Sequence, residues 1–120
     1  MSFGVLIYPG AEELDFQGPW EIIGMWHKYS QGPKPLLVAQ SLAPVTCAHG
    51  MRVLPDADFS TCPPLTQLLV AGGYAAFEEM KKPEVLAFVR AQAAAGADVL
   101  SVCSGSFILL AAGLLAGRKA

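Results

Sequence analysis

The sequence predicts an α/β fold with a largely parallel sheet covered by helices on both faces. Short, largely apolar runs at residues 3–8, 68–71 and 97–102 read as buried strands. Segments with helical spacing, 19–29 and 83–95, fall between strands where hairpin turns would otherwise stand. Strands joined through helices must run parallel, and a parallel sheet is buried on both sides. The 120 residues, 53% hydrophobic and 15% charged, fit one domain spanning 1–120 with a substantial core.

Each element has its own local signal. The first strand, 3–8, ends at Pro9-Gly10, and a loop carrying Glu12, Glu13 and Asp15 follows. Gly18-Pro19 then opens a helix over 19–29, with Pro19 near its first position, where a missing N–H costs nothing. Ser30-Gln31-Gly32-Pro33 breaks the chain before a second strand at 35–40. Residues 45–47 and 51–54, joined around His49-Gly50, resemble a hairpin. Residues 55–64 form a loop with Asp56, Asp58 and Thr61 as turn formers. The run 68–71 leads straight into Gly72-Gly73, where backbone can approach a ligand closely. Pro83 starts the helix over 83–95 and Gly96 stops it. The strand 97–102 then gives way at Cys103 to small residues and a last helix reaching about residue 115.

Composition excludes several functions. The net charge of −2 and eight scattered basic residues leave no electrostatic footprint for nucleic acid. Three cysteines, Cys47, Cys62 and Cys103, form no CxxC pair or disulfide framework, which suits a reducing compartment. With no secretory pattern at Met1-Ser2-Phe3, the chain reads as cytoplasmic. No charge occurs between Asp98 and Arg118, about enough residues to cross a bilayer. The middle of that span, Ser101, Cys103, Ser104, Gly105 and Ser106, suits a strand followed by a helix, so no membrane is expected. Neither His27 nor His49 has a partner at metal-ligand spacing, and both read as structural, with no metal site.

The chemistry concentrates at the carboxyl ends of the strands, where ligands gather in such sheets. Cys103 lies at a strand-to-helix elbow, beside the unpaired N–H groups and positive dipole end of the next helix, which favour a thiolate. The alternative is a packed cysteine acting as a small hydrophobe. A thiolate nucleophile also needs a proton source and donors for developing negative charge. Gly73 and Ser104 offer backbone N–H groups beside Gly72. Asp15, Glu12 and Glu13 are the candidate proton carriers, and Asp15, flanked by Leu14 and Phe16, is the one to be held partly inside.

These residues resemble the ThiJ/PfpI superfamily, a relative of class I glutamine amidotransferases, along essentially the whole chain. The resemblance rests on Val5-Leu6-Ile7-Tyr8-Pro9-Gly10-Ala11-Glu12-Glu13-Leu14-Asp15 with Gly18-Pro19, on Gly72-Gly73, and on Val102-Cys103-Ser104-Gly105-Ser106. Ala111-Ala112-Gly113-Leu114-Leu115-Ala116-Gly117-Arg118 extends it. Leu14-Asp15-Phe16-Gln17-Gly18-Pro19 and Cys62-Pro63-Pro64-Leu65 are similar to the isocyanide hydratase branch. The resemblance implies a flavodoxin-like three-layer sandwich with a nucleophile elbow. It implies Cys103 as nucleophile, Asp15 as its carboxyl neighbour, and Gly72, Gly73 and Ser104 as the binding cradle for a small-molecule substrate. It further implies hydration of an isocyanide to a formamide without metal or organic cofactor, and a homodimer.

Two departures accompany it. Ser104 stands where the family favours threonine, keeping the hydroxyl but losing χ1 stiffness. The family continues beyond the position of Ala120 with a strand carrying a histidine and further helices, so the chain reads as truncated, with one side of the sheet uncovered. Two other roles fit the same module: the sensor domain of a transcriptional regulator, and a redox-responsive protein acting on reactive carbonyls in which Cys103 oxidises. Protease chemistry is disfavoured, since no histidine follows the elbow to form a Cys–His pair.

Overall fold

Two of the apolar runs are buried on both faces, and this places them at the centre of the sheet. A computed structural model describes residues 1–117 of the chain. In it β1 (Ser2–Leu6) pairs in parallel with β2 (Lys34–Val38) on one side and with β5 (Gln67–Val70) on the other. β6 (Asp98–Ser101) pairs in parallel with β5, giving the order β2-β1-β5-β6. Val5, Leu6 and Ile7 of the first strand and its exit, and Leu68 and Val70 of β5, have essentially no solvent exposure. The expected hairpin is present but short: β3 (Val45–Thr46) runs antiparallel to β4 (Arg52–Val53).

The order of the strands fixes the layers. From β1 the chain crosses through α1 (Glu13–Ser30) to β2 on one side. From β5 it crosses through α2 (Ala76–Glu79) and α3 (Pro83–Ala94) to β6 on the opposite side. Right-handed crossovers in opposite directions put their helices on opposite faces, which produces three layers. The direction of winding reverses between β1 and β5. A crevice therefore opens beyond the carboxyl ends of those two strands.

α1 begins six residues earlier than the sequence suggests and keeps Pro19 inside it. Proline cannot bond back to the Asp15 carbonyl, an ordinary reason to start a helix there. Tertiary anchors outweigh that lost bond. Phe16 is buried at 2% exposure, and the Glu13 carboxylate takes the backbone N–H groups of His49 and Met51. Glu13 and Asp15 thus lie in the first helical turn, and Glu12 is the cap residue; the expected acidic loop is corrected accordingly.

α3 starts where expected and ends one residue earlier, with Ala95 as its cap, burying Val85, Phe88 and Val89, with Phe88 stacked on Phe59 at 4.4 Å between centroids. The four-residue α2 has no counterpart in the sequence reading, being too short to show a period. α4 (Ser106–Ala111) stops short of residue 115. Gly113, at φ 81°, closes it with paired bonds from its own N–H to Leu110 O and from Leu114 N–H to Leu109 O. Arg118, the end of the family-like motif, lies outside the described residues. No helix among the described residues is long and apolar enough to cross a membrane. β6 pairs only with β5 among the described residues, and its Leu100 is 43% exposed.

Candidate functional site

The elbow is built by a change of backbone direction immediately after β6. Val102 still pairs as a strand residue, its N–H donating to Val70 O at 3.1 Å. Cys103 then adopts φ 50°, a left-handed conformation uncommon for a residue with a Cβ. One turn of 3₁₀ helix, Cys103–Gly105, leads into α4. Gly105 seats this turn on the end of β5: a Cβ there would lie 2.4 Å from Val70 O and 2.8 Å from Ala71 O. Only a residue without a side chain lets the elbow approach so closely. The Cys103 thiol is left on the exposed side of the turn.

Gly72 performs the same service for the other side of the crevice. A Cβ on it would stand 2.7 Å from Asp15 Oδ2, 2.7 Å from Val102 O and 2.9 Å from Ser104 N. The Asp15 carboxylate and the amide of the elbow therefore face one another across a bare glycine. Gly72 N–H donates to Asp15 Oδ2 at 3.2 Å, which fixes the half-buried carboxylate from the sheet side. Ser104 Oγ accepts from Gly73 N–H and donates to Gly73 O, both at 2.9 Å. The hydroxyl thus clamps the Gly72-Gly73 turn to the elbow, and the Gly73 N–H is engaged. The Ser104 N–H has no backbone partner among the described residues, as befits the first turn of a helix.

The three acids separate by partner. Asp15 reaches the Gly72 turn through its carboxylate. Glu12 Oε1 instead lies 3.0 Å from His49 Nε2. Burial pushes the Glu13 carboxyl up, but the backbone N–H groups of Glu13 itself, His49 and Met51, with the nearby His49 ring, outweigh it and hold the group below the ordinary carboxyl range. His49 is thereby brought to two acids from 36 and 37 positions away, which no local spacing shows. His27 has a structural contact of its own, Nδ1 lying 2.8 Å from Gly32 O past the end of α1.

Two further residues approach the site that the sequence reading did not single out. Tyr8 is buried and donates its hydroxyl to Ala71 O. Burial first, then the charges of Glu79, Asp15 and Cys103, push its phenol well above the ordinary range. Tyr8 is therefore a neutral donor surrounded by the acidic groups of the crevice. Glu79 is 3% exposed and pairs with Lys82 at 2.7 Å. In sequence Tyr8 is indistinguishable from the end of an apolar strand. Glu79 is one of several acids, and only Lys82 three positions later hints at a partner. The other cysteines are unlike Cys103: Cys47 is buried and Cys62 half-buried, and desolvation pushes both thiols up, Cys47 further by the Glu13 charge.

Comparison with known proteins gives this arrangement a context. The DJ-1/PfpI family matches residues 1–120. The chain is 36% identical over 120 residues to isonitrile hydratase of Pseudomonas putida, covering all of this chain and 51% of that protein. A crystal structure of a ThiJ/PfpI family protein from Pseudomonas syringae is similar with TM-score 0.83 and 39% identity, covering 94% of this chain and 46% of that one. A DJ-1 superfamily protein from Salmonella typhimurium shares the fold with TM-score 0.83 at 24% identity, over 98% of this chain and 63% of that one. The chain thus spans about half the length of the hydratase and of the Pseudomonas syringae protein.

Proposed function

Because the chain belongs to the DJ-1/PfpI family, we propose that Cys103 is the nucleophile of an enzyme that hydrates an isocyanide to an N-substituted formamide. The observation that carries this reading is the grouping of an exposed, left-handed Cys103, the Asp15 carboxylate and the Ser104 N–H around Gly72. The name of the Pseudomonas putida relative supplies the substrate class.

The reaction follows from what these groups can exchange. The Cys103 thiolate attacks the terminal carbon of R–N≡C, forming a C–S bond, and Asp15 delivers a proton to that carbon to give a thioimidate. Water then adds to the same carbon, one of its protons passing to nitrogen and the other returning to Asp15. The C–S bond breaks, the thiolate is restored and R–NH–CHO departs. The Ser104 N–H faces the negative charge that develops during these steps, and Gly73, clamped by the Ser104 hydroxyl, keeps the cradle in shape. Tyr8 steadies the Ala71 carbonyl immediately before Gly72.

A homodimer acting in the cytoplasm belongs to the same reading. Ile22, Met25, Trp26 and Tyr29 recur at helical spacing on α1 and are 46–71% exposed, an apolar stripe that a second copy can cover. Three free thiols suit a reducing compartment. The test of the activity is incubation with a simple alkyl isocyanide, followed by proton NMR of the formyl group. Formamide produced by the native protein and lost in Cys103→Ala supports the reading. An undiminished rate in Cys103→Ala removes the nucleophile from it.

A further inference from the structure

We propose that Glu12, Glu13 and His49 form a binding site for a first-row divalent cation, with Zn²⁺ the best match. One ligand atom from each lies within 4.8 Å of the others. Glu12 is half-buried and His49 exposed. Glu13 lies deeper. It is 92% buried by its 8% residual exposure, and its Oε1 has no hydrogen-bond partner among the described residues. A buried carboxylate oxygen with no donor is costly, and a cation is one group that satisfies it.

The other oxygen is arranged as an outer contact should be. Oε2 accepts from His49 N–H at 2.8 Å and Met51 N–H at 3.3 Å, so the turn of the β3–β4 hairpin fixes the orientation of the carboxylate and leaves Oε1 without a donor. The same turn carries the His49 ring, whose Nε2 already meets Glu12 Oε1 at 3.0 Å. A metal would replace the hydrogen between that nitrogen and oxygen. Zinc bonds of about 2.0–2.2 Å would require the Glu12 and His49 side chains to turn toward the Glu13 carboxylate.

Charge and donor type select the ion. The start of α1 contributes roughly half a positive charge that opposes any cation, but two full carboxylate charges outweigh it. One imidazole with two carboxylates suits zinc and its first-row neighbours better than calcium or magnesium, which take oxygen ligands alone. Three protein ligands leave a fourth position for water. Such a site would tie the hairpin to the first turn of α1, the turn that also carries Asp15.

The experiment is a Zn²⁺ titration of the full chain against a fluorescent zinc chelator, repeated with Co²⁺ to read ligand type from its visible spectrum. The expected result is one equivalent of Zn²⁺ bound, with affinity kept in Cys103→Ser and His27→Ala. His49→Ala and Glu12→Gln, each checked for folding by circular dichroism, should weaken binding by at least the roughly 10–100-fold that an outer-contact change costs. The Co²⁺ spectrum should lack a thiolate-to-metal band. Unchanged affinity in His49→Ala, loss of binding in Cys103→Ser, a thiolate band, or no stoichiometric binding at micromolar Zn²⁺ would each overturn the assignment.

Discussion

At Cys103 a left-handed φ and an exposed thiol coincide, and the two together distinguish it from the other cysteines. Cys47 is buried and Cys62 half-buried, and desolvation keeps both as thiols. Brief treatment with iodoacetamide at neutral pH should therefore modify Cys103 first. Peptide mass spectrometry checks this, and equal labelling of Cys47 or Cys62 would count against it. Asp15→Asn removes the transferable proton while keeping an acceptor for Gly72 N–H. Formamide production should fall by about 10²–10⁴-fold, the usual worth of a positioned acid or base. Ser104→Ala strips Gly73 of both hydrogen bonds from the hydroxyl, and a stability loss of about 1–2 kcal/mol is the expected reading of a urea titration.

These residues differ in how far the sequence discloses them. Cys103 is legible because its signal is local, an apolar strand meeting small residues and then helix formers. Asp15 is legible by its apolar neighbours Leu14 and Phe16, and its half-buried state agrees with that reading. Tyr8 and the pairing of His49 with Glu12 are not legible, since each depends on contacts across distant parts of the chain, and for Glu79 only Lys82 three positions later hints at a partner, nothing at its burial.

Among the elements, the elbow and the 55–64 loop give the sharpest expectations. Gly105→Ala would place a methyl group 2.4 Å from Val70 O, where rigid backbone cannot yield. The variant should lose about 1–3 kcal/mol, the ordinary penalty of overpacking, with a lowered urea midpoint. A midpoint equal to wild type would show that the turn does not rest on β5. In the loop, Asp58 accepts from Ser60 Oγ, Thr61 N–H, Thr61 Oγ1 and Ser60 N–H, and these bonds hold its carboxyl below the ordinary value of 3.8. A native value below the unfolded one means that the ionised form stabilises the fold. That contribution is complete above the ordinary value and lost as pH falls through the native one. Asp58→Asn should accordingly flatten the fall in melting temperature below about pH 4, and melting curves that stay parallel to wild type would contradict this.

Helix α1 shows why element boundaries are harder to read than element types. Pro19 is a sound local reason to start a helix, and the sequence reading followed it. The fold overrides it through Phe16, Glu13 and Asp15, whose partners lie in the core, in the hairpin and in the glycine turn after β5. The early end of α4 is the opposite case: the Gly113 signal was present in the sequence, and the apolar Leu114-Leu115 masked it.

For the whole molecule, the reversal of winding between β1 and β5 explains why Asp15, Gly72 and the elbow converge. Each follows a different strand, and all three strands point the same way. The alternation of strands and helices was enough to predict this parallel arrangement, whereas the strand order was not, because apolar runs carry no partner information. The same topology predicts an order of stability. β1 and β5 are paired on both sides, while β6 and the hairpin have open edges among the described residues. Amide hydrogen exchange should be slowest in β1 and β5, and slow exchange confined to β6 would contradict this ordering.

The central claim is that Cys103 forms the covalent bond with substrate. Acid-quenched protein, taken during reaction with an alkyl isocyanide, can be digested and weighed peptide by peptide. An adduct of the isocyanide's mass is expected on the peptide containing Cys103, absent from Cys103→Ala together with formamide production. An adduct on Cys47 or Cys62, or formamide formed at the native rate by Cys103→Ala, would contradict it.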